Sequence, residues 1–393
     1  MNYRQKILSD ETIAYAVKAI SGISNYKRKA DDLPGAFIPA SDEFFAEQFY
    51  WDSYFIILGL LELGDEGLQT ALDMIANMNV LLDRYGYIPN SSHSYTTRSQ
   101  PPLFSEAVAE IYRKTEDLNW LKTVYPYMVK EYLNIWTSVE SGHYHKDSGM
   151  SFYHDYSEPH NETWGTWYGA EQESGWDNTS RFQQKTDVIL PVDLNAILYG
   201  MECNLTAFAR TLSADYEADI WAGRAEDRKH VFDDYFWSTE EGFYYDYNMV
   251  TRKKMSGMTL AAYFPLWTGL ASEQQAVAAV KQLSVFERGG GLAATEERLA
   301  DPQAQWSYPN GWPPLHWVTV QGLRKYGFDD DADRIAWKWM SNCARSYKDT
   351  GRWDEKLSVA NGLDKTDDPR YGHQNITYWN TFVFRALYGQ VAG

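Results

Sequence analysis

Apolar residues recur at three- and four-residue spacings along most of the chain. That spacing predicts helices with one buried face, because 3.6 residues complete a helical turn. Residues 46–63 carry the pattern up to Gly64, and residues 192–210 carry it from Pro191, so typical helix-end residues bound both segments. The same pattern predicts helices over residues 11–25, 67–82, 103–114, 118–139, 215–236, 258–269, 273–285, 315–326, 329–346 and 376–388.

Strand patterns are few by comparison, and residues 142–149 and 242–248 predict only short hairpins within loops. Helices that each bury one face must pack against one another in layers. We therefore expect an all-α fold, a closed (α/α)6 double-ring helical barrel formed by residues 1–393 as a single domain. An open helical solenoid is the alternative, but the chain carries no repeated sequence period of that kind.

In such a barrel the long loops gather at one end and form a funnel, and binding residues concentrate in loops of this kind. The long loops expected here cover residues 84–102, 142–191, 286–314 and 347–375.

Charge and composition narrow the possible partners. The chain has 36 basic and 54 acidic side chains, a net charge of −18, which repels nucleic acid and anionic lipid, so we expect neither as a partner. No apolar run reaches the roughly 18 residues of a membrane helix, and Met1–Asp10 does not resemble a signal peptide, so a soluble, cytoplasmic protein is expected. The run Asp329–Asp331 is typical of a helix start. Nothing predicts an oligomeric state.

The sequence predicts neither a metal nor a cofactor. Cys203 and Cys343 are isolated, no His, Asp or Glu cluster has ligand spacing, and Gly289–Gly291 lacks the Gly-Lys-Ser/Thr of a nucleotide loop. Aromatic residues are abundant, with 16 Trp, 29 Tyr and 17 Phe. They suit a large core or a carbohydrate site, and composition leaves both interpretations open.

Four segments of the chain contain the strongest motifs. They read FYWDSYFIILGL at 49–60, IPNSSHSYTTRSQPP at 88–102, ESGWDNTSRF at 173–182 followed by ILPVDLNAILY at 189–199, and QWSYPNGWPPLHWVTVQGLRKYG at 305–327. In this order they resemble segments of the trehalase family of glycoside hydrolases. The resemblance extends over about residues 40 to 385 and implies cleavage of a small α-glucoside.

Hydrolysis of a glycosidic bond with inversion requires a carboxylic acid that protonates the leaving oxygen and a carboxylate that activates water. Asp177 follows Trp176 in a Gly/Trp-rich loop, where an apolar pocket can keep an acid protonated. The resemblance also places the general acid at the Asp of ESGWD, which is Asp177. The alternative role is a helix N-cap, because Asn178-Thr179-Ser180 resembles a cap region.

The general base rests on the resemblance alone. The family's base lies in a Glu-Lys-Tyr-Asp-like segment, and the matching Glu-Lys pair here assigns the base to Glu355. A surface ion pair between Glu355 and Lys356 is the alternative, and Asp354 is the neighbour that takes the role if the register is shifted by one residue. The family's Gly-rich stretch is replaced here by Asn361–Tyr371.

The resemblance also implies a set of sugar-binding residues. Trp51 and Asp52 match a Trp-Asp pair able to cover a sugar ring and to bind two hydroxyls, although a core Trp beside a helix-surface Asp is the alternative. The full expected set is Phe45, Trp51, Asp52, Asn90, Arg98, Gln100, Glu162, Trp176 and Trp312.

The chain departs from the family at two arginine positions, which read Phe44 and His160 here, whereas Arg98 is retained. Loss of planar donors at a sugar site reduces specificity for the original substrate. The expected function is therefore a trehalase-like inverting hydrolase that releases glucose from trehalose or a related small α-glucoside. The alternatives are the same mechanism on another aglycone, such as glucosylglycerate or another α-linked glucose disaccharide, a catalytically silent sugar-binding barrel, and a lyase or epimerase.

Overall fold

A computed structural model describes residues 2–20, 22, 26–42, 45–156, 165–360 and 377–392. Its helices are α1 Tyr3–Ser9, α2 Glu11–Ala19, α3 Tyr50–Leu60, α4 Gly64–Tyr85, α5 Phe104–Thr115, α6 Leu118–Glu131, α7 Thr166–Glu173, α8 Val192–Thr211, α9 Asp215–Phe236, α10 Phe264–Thr268, α11 Glu273–Lys281, α12 Leu283–Phe286, α13 Pro313–Lys325, α14 Asp329–Thr350 and α15 Tyr378–Ala392. A π turn, Tyr132–Trp136, extends α6, and 3-10 turns occupy Thr186–Val188, Leu260–Tyr263 and Glu297–Leu299.

The strands are two residues long and pair antiparallel. They are β1 Tyr144–His145, β2 Met150–Ser151, β3 Ile189–Leu190, β4 Trp237–Ser238, β5 Phe243–Tyr244, β6 Tyr247–Asn248, β7 Lys253–Lys254, β8 Glu287–Arg288, β9 Gly291–Leu292, β10 Asn310–Gly311 and β11 Leu357–Ser358. The ladders are β1-β2, β3-β6-β7, β4-β5, β8-β9 and β10-β11.

Six of the described helices form a closed inner ring, which confirms the predicted (α/α)6 barrel. Helix α3 contacts α5, and contacts then run from α5 to α8, α10, α13 and α15, which returns to α3. Helices such as α4, α6, α9 and α14 lie outside and pack on the inner ones. The all-α prediction is therefore confirmed.

Helices α3 and α14 differ in how they are buried. Every residue of α3 is buried, whereas α14 buries one stripe that includes Ile335, Trp339 and Cys343. A helix surrounded by others must be apolar on all sides, and an outer helix only on its inner face. The prediction of a one-sided helix within residues 46–63 is wrong for this reason. Gly59 permits close contact inside the ring, because a Cβ there would lie 2.4 Å from the carbonyl oxygen of Phe382.

Most predicted helices are confirmed with shifted ends. Residues 215–236 match α9, and α14 begins at the predicted acidic run. The predicted helix over 258–269 is divided into a 3-10 turn that ends at Tyr263 and α10, which begins at Phe264, and that over 273–285 is divided into α11 and α12. Helices α1 and α7 were not predicted. The 142–149 hairpin is confirmed as β1-β2, but 242–248 contains β5 and β6, which pair with different strands.

Several inner helices begin at the same end of the barrel. The first turns of α3 and α15 and the residue before α13 all contribute side chains to one cavity, as do the loops before α5 and α8. None of the described helices is both long and apolar enough to span a bilayer.

Candidate active site

The cavity at this end of the barrel is lined mainly by aromatic, amide and carboxyl side chains. The lining residues are Ala40, Phe45, Phe49, Trp51, Asp52, Asn90, Tyr95, Arg98, Gln100, Gln172, Gly175, Asp177, Gln305, Trp306, Trp312, Glu355, Thr377 and Trp379. They come from segments far apart in the sequence, so the fold itself assembles the cavity.

Hydrogen bonds join the start of α3 to the loop at residues 88–102. The amide of Tyr50 donates to the carbonyl of Asn90 (3.0 Å), and that of Asn90 donates to the carbonyl of Arg98 (2.8 Å). The amide of Trp51 donates to Oε1 of Gln100 (3.0 Å). These contacts hold Asp52, in the first turn of α3, beside the amide and guanidinium side chains of the loop.

A glycine turn carries Asp177 into the cavity. Gly175 has φ +72°, and a Cβ there would lie 2.7 Å from the indole of Trp51, so both backbone and space favour glycine. The amide of Asn178 donates to Oε1 of the buried Glu171 (2.8 Å). Asp177 is not an N-cap, because the next helix, α8, begins at Val192.

Glu355 is presented by the segment that leads into β11. Asn310 pairs with Ser358 in the β10-β11 ladder, and the indole N–H of Trp379 donates to the carbonyl of Glu355 (3.2 Å). The neighbouring Asp354 directs its Oδ2 to the hydroxyl of Ser346 (2.6 Å) and does not line the cavity.

The alternative role of Glu355 was an ion pair with Lys356 on the protein surface. The ion pair exists, but it does not lie on the surface. Lys356 Nζ does lie 3.1 Å from Oε2 of Glu355, but the lysine side chain is only 7% exposed. Glu355 lines the cavity, and its partner Lys356 is a buried side chain.

Two carboxyl groups of the cavity act on a third, that of Asp52. Burial, followed by the charges of Glu355 and Asp177, raises the pKa of Asp52 to about 8. Asp52 consequently keeps a proton near neutral pH and can both donate to and accept from a hydroxyl group. The alternative of a helix-surface Asp is wrong, because Asp52 is buried except where it faces the cavity.

Arg98 is held by a buried ion pair. Its Nη1 lies 3.1 Å from Oδ2 of Asp155, and both side chains are almost completely buried. The guanidinium also lies over the ring of Tyr95, 4.9 Å from the centroid. Part of its donor capacity is thus directed at the protein, and the remaining surface faces the cavity.

Four indoles, the tryptophan cluster, form one wall. Trp306 and Trp312 stack with centroids 3.7 Å apart and planes 3° apart, and Trp51 and Trp379 pack against them. Trp176 lies behind this wall, packed on Trp306 with no exposed surface. This corrects the expectation that Trp176 contacts a sugar, since the cavity does not reach it.

The structure brings most of the expected residues together. Phe45, Trp51, Asp52, Asn90, Arg98, Gln100, Asp177, Trp312 and Glu355 line the one cavity. Glu162 lies outside the described residues, as do Phe44, His160 and the segment 361–371.

Other lining residues were not singled out from the sequence. Gln305 and Trp306 open the motif QWSYPNGW, of which only Trp312 was chosen, and Trp379 lies in a segment assigned only to a helix. Gln172 precedes the ESGWD motif by one residue and faces the cavity through the unpredicted α7. Gln305 and Trp306 could have been predicted from the sequence, because both lie within the motif QWSYPNGW.

Comparisons with known proteins identify the family of the chain. A profile of the trehalase family matches residues 26–164 and 141–379. The periplasmic trehalase of Citrobacter koseri is 32% identical over an alignment of 356 residues, which covers 80% of this chain and 61% of that protein. The chain thus spans about three fifths of the length of that relative.

Solved structures share the fold across almost the whole chain. The neutral trehalase of Saccharomyces cerevisiae superposes with a TM-score of 0.78 at 24% identity, covering 98% of this chain and 80% of that one. The GH63 mannosylglycerate hydrolase of Thermus thermophilus in complex with glucose superposes with a TM-score of 0.70 at 17% identity, covering 96% of this chain and 100% of that one. The profile match includes every motif described above, and the chain belongs to the trehalase family.

Proposed function

We propose that the protein is an inverting glycoside hydrolase that releases glucose from trehalose or a related small α-glucoside. Asp177 is the general acid and Glu355 the general base. The observation that carries the proposal is the cavity itself, in which these two carboxyls, from loops 178 residues apart in sequence, share one aromatic-walled space. Membership of the trehalase family supports the substrate class.

The reaction requires the two carboxyl groups to act on opposite sides of the anomeric carbon. Asp177 donates its proton to the leaving oxygen, and Glu355 takes a proton from the attacking water. The anomeric carbon–oxygen bond breaks as the bond to water forms, so the α-linked sugar is released as the β-anomer.

The remaining lining groups suit a sugar ring. Phe45, Trp51 and Trp312 offer apolar faces, whereas Asp52, Asn90 and Gln100 offer hydrogen-bonding groups. Buried polar groups that lose their hydroxyl partners discriminate strongly between substrates. No metal or cofactor enters this mechanism.

We also propose a cytoplasmic location for the protein, although the relative from Citrobacter koseri is named periplasmic. Cell fractionation tests the location.

A second candidate keeps the mechanism and changes the aglycone, for example to that of glucosylglycerate or another α-linked glucose disaccharide. The Arg98–Asp155 ion pair favours it, because this retained arginine already directs one N–H group to a protein carboxylate. Together with Phe44 and His160 at arginine positions, it predicts that trehalose is turned over less well than at least one other small α-glucoside.

The test is glucose release from trehalose, glucosylglycerate, kojibiose, nigerose, maltose and isomaltose. We expect hydrolysis of at least one, and a loss of at least about 1000-fold in kcat for Asp177→Asn and for Glu355→Gln, because each keeps its shape and loses proton transfer. Proton NMR within minutes of mixing should show β-glucose first from glucosylglycerate, and equal amounts of α- and β-glucose from trehalose, because the leaving glucose of trehalose keeps its α configuration.

Initial α-glucose without β-glucose would contradict inversion, and near-normal activity of either variant would contradict its assigned role. A large preference for trehalose would remove the second candidate. Binding of these sugars without hydrolysis of any would instead support a catalytically silent barrel.

A further inference from the structure

Two buried side chains connect the carboxyl groups of Asp177 and Glu355. Gln305 Nε2 lies 3.1 Å from Oδ2 of Asp177, and Lys356 Nζ lies 3.0 Å from Oε1 of Gln305. The same Nζ lies 3.1 Å from Oε2 of Glu355. We call Gln305 and Lys356 with these three contacts the Gln305–Lys356 bridge.

The chemistry of the donors fixes the direction of the bridge. A lysine ammonium has only donors, so the amide group of Gln305 must turn its oxygen towards Lys356. Its NH2 group must then face Asp177, so the positions of the oxygen and the nitrogen in the Gln305 side-chain amide are fixed by Lys356. The backbone supports the same orientation, because Nε2 also lies 3.2 Å from the carbonyl oxygen of Asp177.

The bridge is held rigidly from behind. The carbonyl of Gln305 accepts from Nδ2 of Asn310 (2.8 Å) and from the indole N–H of Trp312 (3.2 Å). Lys356 Nζ lies 5.2 Å from the centroid of the Trp312 ring, and both bridge side chains are buried. Burial of an ammonium group is unfavourable unless partners compensate it, so an apolar residue would serve a purely structural role better.

We propose that Gln305 and Lys356 are positioning residues that prepare the acid and the base as one unit. This rests on the proposed function. An amide N–H donates more strongly to the carbonyl oxygen of a carboxylic acid than to its hydroxyl oxygen, so the contact to Oδ2 places the acidic proton of Asp177 on Oδ1. Lys356 orients the Glu355 carboxylate towards the attacking water.

The bridge acts most strongly during the reaction. As Asp177 transfers its proton to the leaving oxygen it becomes an anion, and a hydrogen bond to an anion is stronger than one to a neutral acid. Lys356 polarises the Gln305 amide in the direction that strengthens this contact. Glu355 gains the proton that water loses, and the two carboxyls return to their starting states by exchange with solvent. An interaction that strengthens in the transition state raises kcat and leaves KM almost unchanged.

Two substrates separate the two ends of the bridge. One is the α-glucoside that the wild type hydrolyses best, and the other is α-glucosyl fluoride, whose fluoride departs without a proton from an acid. Gln305→Glu keeps the shape but places an oxygen against Asp177, so kcat on the glucoside should fall about 10- to 100-fold with little change on the fluoride. Lys356→Met should reduce kcat on both substrates, and Lys356→Arg should recover part of that loss.

Matched controls use the same substitutions outside the bridge. Gln303→Glu changes an exposed residue of the same loop, and Lys348→Met changes an exposed residue of α14. Neither should alter kcat on either substrate, and KM and the melting temperature of the bridge variants should remain close to those of the wild type. If Gln305→Glu does not fold, Gln305→Leu removes the amide contacts without adding charge and must show the same selective loss on the glucoside.

The outcomes separate this proposal from the proposed function. If the wild type hydrolyses both substrates and the Gln305 variant loses neither, or loses both equally, the bridge proposal is wrong and the proposed function stands. If KM rises while kcat is preserved, the residues bind sugar and do not position the carboxyls. A wild type that hydrolyses no α-glucoside and no glucosyl fluoride overturns both proposals together.

Discussion

Arg98 illustrates how one side chain can serve the cavity and its wall together. Its guanidinium lines the cavity while Nη1 lies 3.1 Å from Asp155. A planar fork can make both contacts at fixed angles, whereas an ammonium group cannot. The ion pair therefore fixes the direction in which the arginine faces the substrate.

We expect Arg98→Lys to reduce kcat/KM on the best substrate roughly 30-fold, which corresponds to about 2 kcal/mol of transition-state binding, because the charge remains and the planar guanidinium fork is lost. Steady-state kinetics measure this, with Arg113→Lys on the exposed face of α5 as the matched control. A loss no larger than that of the control would show that Arg98 acts only through its charge.

At the scale of single residues, the motifs predicted which side chains line the cavity where side-chain type and order along the chain were sufficient. Asp177 was chosen because a carboxyl in a Gly/Trp-rich loop suits this chemistry, whereas Glu355 and Asp52 were implied by the family resemblance. All three line the cavity. The direction of Trp176 was not predictable, since it depends on the positive φ of Gly175. Lys356 was considered only as an ion-pair partner, because its burial is a product of the whole fold.

At the scale of the element, the turn at Gly175 joins α7 to the segment containing Asp177. We expect Gly175→Ala to destabilise the protein by about 1 to 3 kcal/mol, because a left-handed backbone and an overlap with the indole of Trp51 both oppose a Cβ. Activity should fall as well, since the carboxyl of Asp177 moves with the turn. Urea unfolding and kcat measure the two effects.

Gly223→Ala is the matched control in the interior of α9, where a Cβ meets nothing within 4 Å. It should stabilise the protein by roughly 0.5 to 1 kcal/mol, because alanine is the better helix former. Equal effects of the two substitutions would rule out the role assigned to the Gly175 turn.

Helical periodicity predicted helices with one apolar face better than the fully buried helix α3. Helix α14 shows one clear apolar stripe, and its start was predicted correctly. Helix α3 is buried on all sides, so no stripe could define it, and its predicted start was four residues too early. Helix α7 was missed because it is short and contains Gly169.

At the scale of the whole molecule, buried carboxyls make stability depend on pH. Burial is the largest cause that raises the pKa of Asp52 and of Glu131 to about 8 and that of Glu106 to about 7. In the folded state these groups keep protons that the unfolded chain loses above its pKa of about 4. Their stabilisation is therefore complete below about pH 4 and declines progressively until the pH reaches the folded-state pKa of about 7 to 8. Burial lowers the pKa of His316 to about 3, which destabilises the fold only below about pH 6.5.

The free energy of unfolding should therefore fall between pH 6.5 and 8.5, by up to about 1.4 kcal/mol per pH unit for each such proton. Urea titrations across this range measure it. Glu131→Gln, on α6, should make the decline shallower, and Glu240→Gln at an exposed position should not. A flat profile would contradict the pKa assignments.

We also propose that residues 1–393 form one domain, for which these titrations should show a single transition.

The double ring was predictable because helices of one apolar face admit few closed arrangements. The closure itself, with α15 returning to α3, depends on contacts between residues more than 300 positions apart, such as Gly59 and Phe382. No local pattern contains that information. The family resemblance predicted which distant segments meet at the active site, but it did not predict the residues packed behind the cavity.

The tryptophan cluster has an optical consequence. Trp306 and Trp312 stack with centroids 3.7 Å apart, so their excited states interact strongly. All four indoles of the cluster face the cavity. A sugar that displaces water from their surface changes the polarity around the excited rings and shifts their emission. The molecule therefore contains its own fluorophore at the place where occupancy is to be measured, and binding can be followed without a label.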